Sequence, residues 1–239
     1  MARKAKRRQA PRAVRTGTAA LSASAATNRD KAIAAFMALL AEHPFEQIGM
    51  AQIAEEADLS LADLRAEFAS TLAILAAHIK EIDRQVLAGQ DADMAEESPR
   101  ERLFDVLMRR LEILDPHKEA VRTLMRSASR NPGLALALNG LAVRSQQWML
   151  TAAGIGAAGP KGMLRAQGLA LMFANVLRTW VDDDDEGHAR TLAALDRELA
   201  RGHRFAGLLD ELCRIPERAC ALTRSRRSRR GGGRERAAA

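Results

Sequence analysis

The chain has very few aromatic side chains. Aromatic residues make up 3% of its 239 residues, and tyrosine is absent. Strands are usually rich in aromatic and β-branched residues, whereas Ala, Leu, Met, Glu and Arg, which are frequent here, favour helix. The apolar fraction of 47% is enough to bury a substantial core in one or two domains. The composition therefore predicts an all-α protein.

Cysteine and histidine are also scarce. Cys213 and Cys220 are the only cysteines, and no residues near them have metal-ligand spacing. They are typical of small core residues in a reducing compartment. The five histidines are far apart in sequence, so we expect no metal site and no cofactor. The acidic run 182–186 lacks the alternating spacing of a calcium loop, which favours a solvated loop between two helices.

Motifs for catalysis, secretion and membrane spanning are missing as well. The chain has no phosphate-binding glycine loop and no nucleophile elbow, so an enzyme is not expected. The longest apolar stretch, 163–181, contains Arg165 and Arg178 and is typical of a buried helix rather than a membrane span. No secretory signal is recognisable, and we expect a cytoplasmic, bacterial protein. An acid-free, Arg-rich start is also typical of a mitochondrial transit peptide, and this alternative stays open.

Positive charge is concentrated at the two ends of the chain. Residues 1–15 carry a net charge of +7 and residues 223–239 a net +6, whereas residues 16–222 carry −6. We interpret 1–27 and 217–239 as basic disordered tails. Such tails attract polyanions, including DNA, without reading sequence. A purely solubilising role is the alternative.

Between the tails the apolar residues follow helical spacing. Asn28 is the predicted N-cap of the first helix, and Ser60 that of a short later helix. A polar segment, 88–98, separates a first domain, 28–90, from a second, 98–216. In the second domain a capping residue precedes proline at Pro99, Pro116 and Pro132, which predicts helix starts. The predicted second-domain helices are 99–114, 116–129, 132–153, 160–181, 188–203 and one through Leu208 and Leu212 that stops near Pro216, which makes nine or ten helices in the whole chain.

The segment 50–70 resembles the TetR-like helix-turn-helix family. The matching features are the Ile53-Ala54 pair, the Ala57-x-Leu59-Ser60 turn, and Leu64, Phe68 and Ser70 leading into a fourth helix. The resemblance implies a short recognition helix for the DNA major groove and a larger helical domain that dimerises and binds a small molecule. It places the DNA-binding candidates at Gln52, Ser60, Leu61, Asp63, Arg65 and Glu67.

Several residues depart from that family pattern. Asp58 stands where glycine is usual, and Arg65, Glu67 and Thr71 replace an aromatic residue, histidine and lysine. Residues 29–70 hold three basic and eight acidic side chains. Phosphate repels such a surface. Arg65 is the one side chain of the predicted recognition helix that can pair with guanine or clamp a phosphate.

The second half is similar to a different family. Trp148, the 164–181 segment, the acidic run and Leu195-Asp196-Arg197 resemble the carboxy-terminal region of the ubiquinone-biosynthesis accessory family. That resemblance implies a TetR-like fold that binds lipid instead of DNA, with an isoprenoid or acyl ligand. Two function hypotheses therefore remain: a dimeric, ligand-responsive DNA-binding regulator, which we favour, and a lipid-binding accessory protein.

Methionine and aromatic residues cluster in the second domain. Methionine is adaptable and polarizable, so the set predicts either a cavity for a flexible apolar ligand or an ordinary core. Segment 160–203 is the predicted homodimer seam, because Leu164, Gly168, Leu171, Met172, Leu177 and Trp180 form a wide apolar face, with small Ala166, Ala170 and Ala174 permitting close approach. The ligand-binding candidates are Phe104, Met108, Met125, Trp148, Met149, Met172 and Phe173.

Overall fold

A computed structural model describes residues 27–89, 94, 96–185 and 187–202. The described residues are helical and include no strand. Apart from Thr27, the two predicted basic tails lie outside them, as do both cysteines and the predicted helix through Leu208 and Leu212. The helices are α1 (Asn28–Glu42), α2 (Met50–Glu56), α3 (Leu61–Glu67), α4 (Thr71–Ala88), α5 (Pro99–Leu114), α6 (Lys118–Arg130), α7 (Pro132–Ala152), α8 (Gly159–Trp180) and α9, which begins at 189 and continues through 202.

Short capping residues define the starts of the first helices. Thr27 and Asp30 form a reciprocal capping box at the start of α1, so the N-cap is Thr27 and the prediction of Asn28 was wrong by one residue. Ser60 caps α3 as predicted, with its hydroxyl accepting the Asp63 N–H. Ser70 caps α4 in the same way. These caps satisfy backbone N–H groups that have no partner inside the helix.

Proline starts two of the second-domain helices as expected. Ser98 and Asn131 cap α5 and α7, each followed by proline in the first turn. Pro116 behaves differently, because Asp115 keeps a right-handed helical conformation (φ −54°, ψ −42°) instead of an extended one. An extended residue is what a side-chain cap requires. The segment Asp115–His117 is consequently a 3-10 turn, and α6 starts after it without a side-chain cap.

Two apolar cores share α4 between them. The first core lies under α1, α2, α3 and the first half of α4, and its largest fully buried residues are Phe36, Leu40, Ile53, Leu64 and Ile74. The second core lies among α5, α7, α8 and α9 and receives Ile82 and Val86 from the second half of α4. Each fully buried side chain of this size stabilises the fold by roughly 1.5–3 kcal/mol. Helix α4 therefore belongs to both halves of the molecule.

The two predicted domains also touch through α6. Helix α6 packs along α1, and Ala120 and Leu124 of α6 cover the first core. The polar segment after Ala88 separates the helices in sequence, but it does not separate the two cores in space. Among the described residues, no helix combines the length and hydropathy needed to cross a membrane.

Candidate functional site

Helix α3 packs against α1 and α2 and presents a solvent-facing surface. Leu64 is fully buried and anchors α3 on the first core, so the opposite face points outward. The Ser60 hydroxyl donates to Asp63 Oδ2 at 2.6 Å, which occupies part of that carboxylate. Gln52 of α2 is half-buried beside this face. The other candidates from the sequence are all exposed: Ser60, Leu61, Asp63, Arg65 and Glu67.

The turn between α2 and α3 requires a left-handed residue. Asp58 adopts φ 52°, and the chain closes the turn with Leu59 N–H donating to the Ala54 carbonyl at 2.9 Å. A side chain with a Cβ is strained there, although aspartate tolerates the conformation better than most residues. This geometry explains why glycine suits the position. The turn keeps its shape here with an acidic residue in place of glycine.

The segment that contains α3 has a strongly acidic surface. All eight acidic residues of segment 29–70 are exposed, as are its three basic residues. Arg29 lies over the Phe68 ring, 4.9 Å from its centroid, at the end of α3. The basic side chains of the segment are Arg29, Lys31 and Arg65, and most of its charge is negative. Any affinity of this surface for phosphate depends on those three side chains and on regions outside it.

A polar contact fixes α3's domain to α6. The Phe45 N–H, in the 3-10 turn before α2, donates to Ser127 Oγ at 3.1 Å. Asn131 Nδ2 approaches Glu46 Oε1 at 3.4 Å. Backbone and side-chain hydrogen bonds, including those to Ser127 and Asn131, lower the pKa of Glu46. The orientation of the helix-turn-helix unit is therefore set by α6 as well as by α4.

Six of the seven candidate ligand residues lie in the second core or pack against it, and Trp148 does not. Met149 and Phe173 are buried in the second core. Trp148 is 58% exposed on the outer stripe of α7 and does not belong to that core. The structure thus separates Trp148 from the remaining candidates. The half-buried candidates that pack against the second core are Phe104, Met108, Met125 and Met172.

A buried ion pair lies beside these residues and had not been predicted from the sequence. Arg110 Nη1 of α5 donates to Asp83 Oδ1 of α4, and Ser145 Oγ of α7 donates to the same oxygen at 2.7 Å. The pair spans 27 positions, so no local spacing signals it. The available signal was weaker: Asp83 follows Ile82 on the apolar face of α4, and Arg110 precedes Leu111 on that of α5.

The predicted dimer face of α8 splits into an inner and an outer side. Trp180, Ala166 and Ala170 are buried in the chain's own second core, so their assignment to the seam was wrong. Met172 and Leu177 also pack partly against that core. Leu164 and Leu171 remain on the outer side, 53% and 58% exposed, with Gly168 between them. The exposed apolar stripe is narrower than the sequence pattern indicated.

The acidic run is organised by α9. Thr191 donates from both its backbone N–H and its hydroxyl to the buried Asp183 Oδ2, at 2.8 and 2.7 Å. These hydrogen bonds lower the pKa of Asp183. Asp185 accepts from the Ala189 N–H at 3.3 Å. Within the described part of the chain, no three His, Cys, Asp or Glu side chains are grouped to share a metal ion.

Comparisons with solved structures identify the fold. The chain is similar to the TetR transcriptional regulator of Nitrosomonas europaea, with a TM-score of 0.58 and 20% identity over 74% of this chain and 98% of that one. It is also similar to a TetR-family transcriptional regulator of Streptomyces coelicolor, with a TM-score of 0.51 and 14% identity over 77% and 83%. No family model matches the sequence, and no curated protein does. The fold is thus that of TetR-type regulators.

Proposed function

We propose that the protein is a DNA-binding transcription regulator. The observation that carries this proposal is the α2–turn–α3 unit, which anchors α3 by Leu64 and leaves a complete outward face on a seven-residue helix. A helix displayed in this way fits the DNA major groove. Both similar structures described above carry the description of transcriptional regulators.

Base recognition is assigned to Arg65 and non-specific affinity to the basic tails. Arg65 is exposed on α3, and its guanidinium fork matches the acceptor pair of guanine. The acidic surface around it weakens phosphate contacts, whereas the two tails together carry a net charge of +13. The tails thus supply the electrostatic attraction, and α3 supplies selectivity.

The test is fluorescence anisotropy on DNA from the promoter of the protein's own operon and on random DNA. Arg65→Ala is expected to weaken specific binding by about 1–3 kcal/mol and to leave random-sequence binding nearly unchanged. Arg126→Ala, an exposed arginine on α6, is the matched control and should change neither. An equal loss of affinity for both DNAs would show that Arg65 contacts phosphate rather than a base.

Deletion of the tails tests the second assignment. Removing 1–15 and 223–239 should flatten the slope of log affinity against log salt by several units, because each phosphate contact contributes about 0.9 to that slope. An unchanged slope would place the phosphate contacts in the acidic body. It would contradict the assignment of non-specific DNA affinity to the tails.

The regulator is proposed to be a ligand-responsive homodimer. The exposed stripe of Leu164, Gly168 and Leu171 is the proposed contact between two copies, together with the neighbouring outer face of α9. The second core is the proposed ligand site, lined by the candidates that pack against it and without Trp148. Methionine side chains there can adapt to an apolar ligand.

A lipid-binding accessory role is the second candidate function. The eight exposed acids of segment 29–70 favour it, because a segment with this charge is unsuited to DNA. It predicts that the purified protein carries an isoprenoid or acyl lipid and shows only sequence-blind, salt-sensitive DNA binding. Mass spectrometry of the organic extract, combined with the anisotropy measurements, separates the two functions.

A further inference from the structure

Four helices converge on one buried arginine in the second core. Arg110 of α5 pairs with Asp83 of α4, and their side chains are 7% and 11% exposed. Ser145 of α7 adds a hydrogen bond to the same carboxylate. The guanidinium carbon lies 5.7 Å from the centre of the Phe173 ring of α8. This arrangement, the Arg110 cluster, is defined by Asp83, Arg110, Ser145 and Phe173.

One hydrogen-bond donor of the Arg110 cluster has no acceptor among the described residues. Arg110 Nε is buried and has no hydrogen-bond acceptor among the residues that the structure describes. A buried N–H without an acceptor is costly, and native proteins rarely retain one without a reason. Asp83 already balances the positive charge of the guanidinium. The remaining N–H is therefore suited to an acceptor that carries no charge of its own.

We infer that Arg110 holds an apolar ligand by a neutral acceptor, namely the carbonyl oxygen of a ketone or ester. This inference rests on the proposed ligand-responsive function and specifies the ligand class for the same core. The hydrocarbon part of the ligand would lie against Phe173 and the apolar residues of the second core. A free carboxylate is rejected, because it would approach Asp83 without a second cation to balance it.

The nearby charged groups support this selectivity. His78 of α4 is the other titratable side chain of α4 that is buried near Arg110. Arg109, next in sequence, is already paired with Asp105 at 2.8 Å on α5 itself. Neither side chain compensates a second carboxylate beside Asp83. The ligand specificity thus depends on the charge of Asp83.

Calorimetric titration of the full-length protein with 2-octanone and with octanoate, in the absence of DNA, tests the inference. The ketone is expected to bind at least about tenfold more tightly than the acid, because both can accept the Arg110 N–H but only the acid brings an uncompensated negative charge beside Asp83. Octane, which has the same chain length without an oxygen, should bind more weakly than the ketone. If octanoate binds as tightly as 2-octanone, or if neither probe binds, the inference is wrong.

A charge-removing variant should reverse the preference. Asp83→Asn keeps the size of the side chain and an acceptor for Ser145, but it leaves Arg110 without a counter-charge. Octanoate should then bind more tightly than 2-octanone. Asp105→Asn removes a carboxylate from the Arg109 pair on the same helix, outside the Arg110 cluster, and is the control that should leave the original order intact. An unchanged order in Asp83→Asn would overturn the inference.

A double variant keeps the inference testable if Asp83→Asn fails to fold. Asp83→Leu with Arg110→Met replaces both partners by apolar residues, which is often neutral for stability, whereas removing one partner is not. The double variant should bind 2-octanone and octane equally. A retained preference for the ketone would contradict the role of Arg110. These titrations contain no DNA. A failed DNA-binding test would therefore contradict the proposed regulator function without affecting the measured ligand preference.

Discussion

The backbone N–H of Phe45 donates to the hydroxyl of Ser127, 82 positions later in the chain. This hydrogen bond joins the turn before α2 to α6 and is half-shielded from water. It is one of the few direct polar links between the helix-turn-helix unit and the second half of the molecule. The position of the helix-turn-helix unit therefore depends on a residue of α6 as well as on its own helices.

Ser127→Ala should destabilise the protein by about 1 kcal/mol, because the Phe45 N–H loses its acceptor. Chemical denaturation followed by circular dichroism measures the change. Ser129→Ala is the matched control: its exposed hydroxyl donates to the Arg126 carbonyl within α6, and its loss should cost less than about 0.5 kcal/mol. Equal effects of the two variants would show that the link to Phe45 contributes nothing.

A histidine pair makes stability depend on pH. His78 of α4 and His117 of the 3-10 turn meet edge to face, with ring centroids 4.7 Å apart. Burial, followed by repulsion from His117 and Arg110, lowers the pKa of His78 to about 4, against a weaker opposing effect of Glu81. Burial also lowers the pKa of His117. The folded protein therefore keeps both rings neutral at pH 7.

The unfolded chain binds the proton first as the pH falls, because its histidines titrate near pH 6.5. The free energy of unfolding therefore keeps its full value above about pH 6.5. It falls as the pH is lowered towards 4, by up to about 3 kcal/mol for His78. His78→Phe, which keeps a ring against His117, should flatten this dependence in urea unfolding between those pH values. His43→Gln, outside the pair, should not. A slope unchanged by His78→Phe would contradict the assignment.

Asp58 offers a test of the turn. Asp58→Gly should stabilise the protein by about 0.5 kcal/mol, because glycine adopts φ 52° without strain. Glu55→Gly removes the same charge from a helical position of α2 and should instead destabilise it by about 0.5–1 kcal/mol. Both variants reduce the acidity near α3 equally, so their effects on DNA affinity should match. Thermal unfolding distinguishes the backbone effect from the charge effect.

Local signals predicted the helices well. Capping residues, helical spacing and proline placed most helix starts within one or two residues, although the capping box of Thr27 and Asp30 was missed in favour of Asn28. Pro116 was misinterpreted because the cap depends on the conformation of Asp115, which continues the helical turn of α5. Sequence spacing cannot report that conformation.

Non-local packing limited the prediction of the candidate site. Apolar residues occur on several sides of α8, so periodicity could not show that Trp180 faces inward while Leu171 faces outward. Trp148 and Met149 are neighbours in sequence, yet one is exposed and the other buried. The Asp83–Arg110 pair joins two helices whose relative placement no local pattern encodes. By contrast, the exposed face of α3 followed directly from Ser60 and Leu64.

Leu171 lies in the proposed contact between two copies of the chain. Leu171→Glu should convert a dimer into a monomer in sedimentation, because it places a charge in an apolar contact. Leu61→Glu is the matched control, since Leu61 on α3 is 57% exposed, close to the 58% of Leu171, but lies outside the proposed contact. Met172 is unsuitable for this test because it packs against the second core.

A second variant separates assembly from folding. A Cβ added at Gly168 would meet no atom of its own chain within 4 Å, so Gly168→Leu should leave the protomer folded. In a dimer the added side chain would hold the two copies of α8 apart, and the dissociation constant should rise by about tenfold or more if close helix contact is lost. A wild-type protein that sediments as a monomer at micromolar concentration, or a Gly168→Leu dimer as tight as the wild type, would remove α8 from the interface.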